Sequence, residues 1–137
     1  SFMALEFILA KGRDTSTVDI VNEIFNPKNV LGQQEFDSLP PEEKFEFYES
    51  GKLIPYLNTA IIAKLNDFLN NVSETDIHLN YNAKELNDNG IYPEVWHNDN
   101  SENMAYNERD ILEGLTELKA IISQAEEEKD FILVFIG

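Results

Sequence analysis

The sequence predicts an α+β domain in which a small sheet, including an N-terminal and a C-terminal strand, packs against several helices. Six consecutive apolar residues at 131–136 predict the C-terminal strand, because a short β-branched run is typical of a strand buried on both faces. The apolar run at residues 4–10 predicts the N-terminal strand. Helical spacing predominates between them. The longest predicted helix carries apolar residues at i, i+4, i+7, i+11 and i+14, which are Ile111, Leu115, Leu118, Ile122 and Ala125.

Short helices are predicted in the first half of the chain from capping and breaking residues. Thr15 or Ser16 is expected to cap a helix that stops before Pro27, because a proline disfavours helical backbone in the residue before it. A second helix is expected to begin at residues 40–41, a proline pair followed by two glutamates, and to end at the Ser-Gly pair 50–51.

The middle of the chain carries clearer signals. Residues 58–72 repeat apolar side chains at helical spacing and predict an amphipathic helix that faces the core. Ser73 with an acidic residue three positions later, and Asn82 with Glu85, each predict the start of a further short helix. Residues 29–38 show no clear period, so no element is predicted there.

Length and composition indicate one domain over residues 3–137. A chain of 137 residues with 42% hydrophobic residues is the usual size for a single core, and no repeat or linker divides it. Ser1 and Phe2 precede Met3 and are interpreted as remnants of an expression vector. The apolar start is too short for a membrane span and no basic segment precedes it, so no signal peptide is expected. The absence of cysteine excludes disulfides and fits the expected cytoplasmic location.

The charge balance bears on the class of partner. Ten basic residues against twenty-six acidic residues give a formal net charge of −16, which repels phosphate backbones and anionic membranes. We therefore expect no nucleic-acid partner and no membrane partner. The same charge would speed association with a basic protein, although it also serves solubility alone.

No catalytic motif is present in the sequence. The two histidines, His78 and His97, belong to no triad and to no zinc-ligand spacing, and the six glycines form no phosphate-binding loop. We therefore predict a non-enzymatic protein without a cofactor. One polar stretch offers possible metal ligands, but it lacks the frame of an EF-hand and is interpreted as a solvated loop without metal. Its candidate ligands are Glu94, His97, Asp99 and Glu102.

An aromatic and proline group lies just before that stretch. Tyr92, Pro93 and Trp96 follow a strong turn signal at residues 87–90. We interpret them as a structural anchor, because aromatic side chains bury a large area. The alternative is an exposed recognition surface, since Trp and Tyr are favoured at binding hot spots.

From residue 57 to residue 137 the chain resembles the YfbM-like family, domain of unknown function 1877. The distinctive match is Gly-Ile-Tyr-Pro-Glu-Val-Trp at residues 90–96, placed between a short helix and a long helix. The first half departs from the family pattern, because it lacks a Gly-rich start and a Trp- and His-containing segment. The resemblance implies a compact bacterial α+β domain with no catalytic residues to carry over. The family is also similar in setting to small acidic proteins encoded beside secreted toxins.

Three hypotheses for function follow. The leading one is an immunity protein that occupies the basic working surface of a toxin through the polar stretch, using Glu94, His97, Asp99 and Glu102. The second is an enzyme or small-ligand binder with a pocket near Tyr92, Trp96 and His97. The third is an adaptor without a toxin partner. A neighbouring gene for a large secreted toxin would favour the first, whereas a metabolic operon would favour the second.

Overall fold

The computed structural model describes residues 2–101 and 103–135 and confirms the α+β class. Within those residues, eight helices surround a three-stranded antiparallel sheet. Most of the chain is therefore helical, and the sheet is a minor component. The elements in chain order are α1 (Phe2–Ala10), α2 (Thr15–Phe25), β1 (Asn29–Leu31), α3 (Gln33–Ser38), α4 (Pro41–Glu49), β2 (Ile54–Leu57), α5 (Thr59–Asn70), α6 (Glu74–Asn80), α7 (Ala83–Asp88), α8 (Glu108–Glu128) and β3 (Ile132–Leu133).

The prediction of a strand at residues 4–10 is wrong, because this segment lies within helix α1. The buried side chains fall at i, i+1, i+4 and i+5, which is a helical pattern, and they are Ala4, Leu5, Ile8 and Leu9. A short apolar run does not by itself distinguish a strand from a buried helix. Phe2, interpreted above as a vector remnant, begins this helix, whereas Ser1 lies outside the described residues.

The sheet has the order β1-β2-β3, so β2 is central and β3 lies at an edge. Asn29 of β1 is opposite Tyr56, and Tyr56 is opposite Leu133 of β3. The C-terminal strand is confirmed, but its predicted burial on both faces is wrong. Ile132 is partly covered, whereas Leu133 is exposed, and no described strand covers the outer edge of β3.

Capping residues set the starts of the helices largely as predicted. Asn58 caps α5 through a hydrogen bond from the amide of Ile61 at 2.9 Å, and a reciprocal capping box at Ser73 opens α6. Asn82 caps α7. At α2 the cap is Asp14, one residue before the two predicted candidates.

The core forms where α1, α5 and α6 pack against α8, and α2 packs against α1 and α5. Every apolar residue of the predicted α8 series is buried, from Ile111 to Ala125. The long helix therefore positions the elements that flank it, including the loop that precedes it. No helix in residues 2–101 and 103–135 combines the length and apolar character needed to cross a membrane.

Candidate functional site

The candidate site is the irregular segment between α7 and α8, residues 89–107, here called the connecting loop. Trp96 holds its first part against the core, since the indole is only 4% exposed. Asn87 fixes the backbone of Trp96 from both sides, because its Oδ1 accepts from the Trp96 amide at 2.8 Å and its Nδ2 donates to the Trp96 carbonyl at 3.1 Å. The indole Nε1 donates to the carbonyl of Ile91 at 3.1 Å. These bonds orient the loop at one point.

Asn107 holds the second part of the loop and is almost fully buried. Its Nδ2 donates to the carbonyls of Asp99, Ser101 and Met104 at 2.8, 3.3 and 3.0 Å. Its Oδ1 accepts from the amide of Arg109 at 3.1 Å and so caps α8. One side chain therefore closes the loop and begins the longest helix, which makes the loop a defined surface rather than a free tether.

Tyr81 joins the middle of the loop to α6. Its hydroxyl donates to the carbonyl of His97, and the amide of His97 donates to the carbonyl of Tyr106 at 2.9 Å. Burial, followed by the nearby carboxylates of Glu108 and Asp110, raises the pKa of Tyr81 to about 12. The phenol is therefore a hydrogen-bond donor across the physiological range.

The Tyr81→Phe change should remove a pH-dependent contribution to stability, because burial and the carboxylates of Glu108 and Asp110 disfavour the ionised phenol in the folded chain. The raised pKa means that the folded chain holds the phenol proton more tightly than the unfolded chain, so this stability is complete below the ordinary pKa of 10.0 and is lost as the pH rises towards about 12. Near pH 8 the variant should lose about 0.5–1.5 kcal/mol of unfolding free energy. Near pH 11.5 the difference in unfolding free energy between the unchanged protein and the variant should be smaller by about 1 kcal/mol, after allowance for partial exposure of the ring. Urea titrations of both proteins at both pH values measure this difference. A difference that does not change with pH would contradict the raised pKa of Tyr81.

The connecting loop also carries the residues predicted to bind a partner. Glu94, His97 and Asp99 are exposed in it, whereas Glu102 lies outside the described residues. Glu94 has a left-handed backbone with φ of 65°, which turns the chain just before the buried indole. One oxygen of Asp99 accepts from the amide of Ser101 at 2.9 Å. The structure thus places three of the four residues on one anchored loop, and it shows no contact that brings their side chains together.

The three predicted anchor residues behave differently. Trp96 is buried and Pro93 is partly buried, as expected of an anchor. Tyr92 is 64% exposed, so its predicted anchoring role is wrong. The side chains of residues 92 and 96 face different environments because the chain turns between them, and the Tyr92–Pro93 peptide bond is cis.

One polar pair was missed from the sequence. Nδ1 of His78 lies 3.0 and 3.1 Å from the two carboxylate oxygens of Glu108, which is nearly buried at the start of α8. A carboxylate is favoured at that end of a helix by the helix dipole. The two residues are thirty positions apart, so no local spacing predicts their pairing. The pair joins α6 to α8 beside Tyr81 and the connecting loop.

The described residues do not assemble a metal centre. In residues 2–101 and 103–135, no group of three or more His, Cys, Asp or Glu side chains is arranged to hold a metal ion. Glu102, one of the candidate ligands, is not among these residues. The chemistry that the loop itself presents is that of exposed carboxylates and an imidazole on a fixed backbone.

Comparison with known proteins places the chain in a family. The model of a domain of unknown function (DUF1877) matches residues 3–135, and the chain belongs to that family. The match corrects the interpretation of the first half, which was taken to depart from the family pattern but lies within the matched range. No curated protein and no solved structure matches the chain.

Proposed function

We propose that this DUF1877 domain is an immunity protein that neutralises a secreted bacterial toxin in the cytoplasm of the cell that makes it. It acts without catalysis, by occupying the basic working surface of the toxin. The observation that carries the proposal is an anchored loop with exposed carboxylates on a chain of net charge −16. A toxin that acts on nucleic acid or another phosphate substrate needs a positive cleft, and an acidic loop can fill such a cleft in place of the substrate.

The fixed backbone of the connecting loop supports a binding role. A loop that is already ordered loses less conformational entropy on binding than a flexible one. Trp96, Asn107 and Tyr81 hold it at three separate points, while Glu94 and Asp99 remain exposed. Charged side chains on such a loop can meet a partner without disturbing the core.

The enzyme or small-ligand alternative receives less support. It requires a pocket near Tyr92, Trp96 and His97, but the indole of Trp96 is packed into the core and donates its N–H to a backbone carbonyl. Of the three residues, Tyr92 and His97 remain exposed. Small-ligand sites are usually lined by apolar and aromatic side chains, and the indole that would serve such a site here is turned into the core.

Association kinetics with the toxin encoded by a neighbouring gene test the proposal. Reversal of the loop charges, with Glu94, Asp99 and Glu102 each changed to Lys, should slow association by about tenfold or more at low salt. Added salt should slow association of the unchanged protein and reduce this difference. Stopped-flow measurements at low and high salt give both rates, and co-expression with the toxin reports protection of the cell.

A matched triple variant controls for net charge. It reverses three exposed carboxylates away from the loop, Glu46, Glu49 and Glu127. If both variants slow association equally, the loop has no special place in the interface. If association responds neither to salt nor to the loop variant, the charge-based mechanism is wrong even where the toxin is inhibited.

A further inference from the structure

Two neighbouring cavities along α8 share Phe2 in their linings and differ in chemistry. One cavity, of about 680 Å³, lies between α1, α2, α8 and the strands β2 and β3. The next cavity along the helix, of about 400 Å³, is lined in part by Glu113 and Glu117. Residues 113–114, 117–118 and 121–122 follow one another at helical spacing, so both cavities open on the same helix face. We call the two together the α8 groove.

The large end of the α8 groove is apolar and open. Its lining side chains are all apolar, and Ile121, Leu133 and Phe135 are 51%, 46% and 74% exposed. Contiguous exposed apolar patches are typical of interaction sites, whereas apolar side chains exposed singly are ordinary. A small-molecule site would also offer a few polar groups that orient the ligand, and the side chains lining this end offer none. The surface therefore suits an apolar segment of a protein.

The smaller end of the α8 groove is acidic. Glu113 and Glu117 are exposed there, and no Lys or Arg is among the described residues that line it. Asp110 also lines it, but its carboxylate accepts from the amides of Tyr106 and Asn107 and is engaged in capping α8. Two exposed glutamates therefore stand next to the apolar cavity.

Gly114 lies between the two glutamates and lines the same end of the groove. An added Cβ there would face α1, where it would meet Leu5 and Phe2 at 3.8 and 3.9 Å, which is ordinary van der Waals contact. Packing against α1 therefore does not require glycine at this position.

We propose that the α8 groove is a docking site for a basic amphipathic segment of a partner protein. Apolar side chains of that segment enter the large cavity, and its Lys or Arg side chains meet Glu113 and Glu117. A second copy of this chain fits poorly, because each copy carries a net charge of −16 and a twofold contact would bring the same acidic face against itself. The inference rests on the proposed function for the basic character of the partner. It adds a surface that adjoins the connecting loop, because Ala105 and Tyr106 of that loop line the acidic end of the groove.

A synthetic helical peptide of Leu and Lys, about sixteen residues long, serves as the probe. It should bind the full chain, and the amide resonances that shift in NMR spectra should include those of Gly114, Ile121 and Leu133. A peptide with Glu in place of Lys should not bind, and a peptide with Ser in place of Leu should bind about tenfold more weakly or worse. Resonance shifts confined to other surfaces would overturn the proposal.

Substitutions in the groove test each end separately by fluorescence anisotropy. Ile121→Ser should weaken peptide binding about tenfold. The double variant Glu113→Gln with Glu117→Gln should also weaken it about tenfold, and the affinity that remains should depend less on salt. The controls are Leu79→Ser, at a side chain that is 75% exposed and does not line the groove, and the pair Glu127→Gln and Glu128→Gln on the same helix. Equal effects of groove and control variants would overturn the proposal. Thermal melting of each variant shows that it is folded.

The outcomes separate this inference from the proposed function. If the peptide binds the groove but the neighbouring toxin is not neutralised, the groove remains a docking site and the immunity function fails. If reversal of the loop charges slows toxin association, but the substitutions in the groove do not change the affinity for the peptide, the immunity function stands and the groove inference fails. Sedimentation equilibrium of the chain alone provides a further check, because a dimer that Ile121→Ser abolishes would assign the groove to self-association instead.

Discussion

Replacing Trp96 by alanine is expected to lower the unfolding free energy by about 3–5 kcal/mol, as for other large-to-small changes in a core. The indole is 4% exposed and belongs to the main hydrophobic cluster. Its edge-to-face contact with Tyr106, with ring centroids 6.1 Å apart, is lost together with its hydrogen bond to Ile91. Since typical domains are stable by about 5–15 kcal/mol, this is a large fraction of the total. Urea denaturation followed by circular dichroism measures it.

Two further variants separate anchoring from recognition at this position. Tyr92→Ala, four residues earlier and mostly exposed, should change stability by less than about 1 kcal/mol. Trp96→Phe should recover part of the stability because it refills part of the cavity. If Trp96→Ala instead keeps normal stability and loses only its partner, the indole is a binding hot spot and not an anchor.

Local signals predicted the helical part of the fold well. The spacing of Ile111 to Ala125 identified the buried face of α8, and the polar residues Ser73 and Asn82 marked the starts of α6 and α7. These features depend on side chains within a turn or two of one another, which the sequence displays directly. Glu94 and Asp99 were likewise expected to lie in a solvated loop, and both are exposed.

The sheet was harder to predict because strand pairing depends on distant contacts. β1 and β3 are only a few residues long, and each is defined by its partner β2. The apolar run at residues 4–10 fits a strand or a buried helix equally well, and packing of α1 against α2 and α8 decides for the helix. The run at residues 131–136 indicated burial, but the sheet ends at β3 and leaves Leu133 exposed.

The site was predictable only in part for the same reason. Glu94, His97 and Asp99 are close in sequence and lie on one loop. The residues that hold this loop come from elsewhere in the chain, namely Tyr81 from the end of α6 and Asn87 from α7. The α8 groove combines three helices and two strands, so its shape follows from tertiary packing and not from any motif.

Replacing Gly32 by alanine is the second substitution expected to have a large effect, with a loss of about 2–5 kcal/mol in unfolding free energy. Gly32 follows β1 with φ of 82°, a left-handed conformation that costs an L-residue about 1–2 kcal/mol. An added Cβ would also collide with the carbonyl oxygen of Lys52 and lie 3.3 Å from its carbonyl carbon. Both neighbours are backbone atoms, so the clash is relieved only if the chain before β2 moves.

Gly12→Ala isolates the collision from the backbone strain. Gly12 has φ of 71° and nothing within 4 Å of an added Cβ, so its replacement should cost only about 1 kcal/mol. Urea denaturation of both variants therefore gives the contribution of the contact between Gly32 and Lys52 as a difference. The pairing of Leu31 with Ile54 lies just beyond this contact, so hydrogen exchange at the β1–β2 ladder should speed up in Gly32→Ala and not in Gly12→Ala. The two variants could instead lose equal unfolding free energy and keep equal hydrogen-exchange protection in the β1–β2 ladder. The backbone at Lys52 would then move aside at little cost, and only the left-handed conformation would require glycine at position 32.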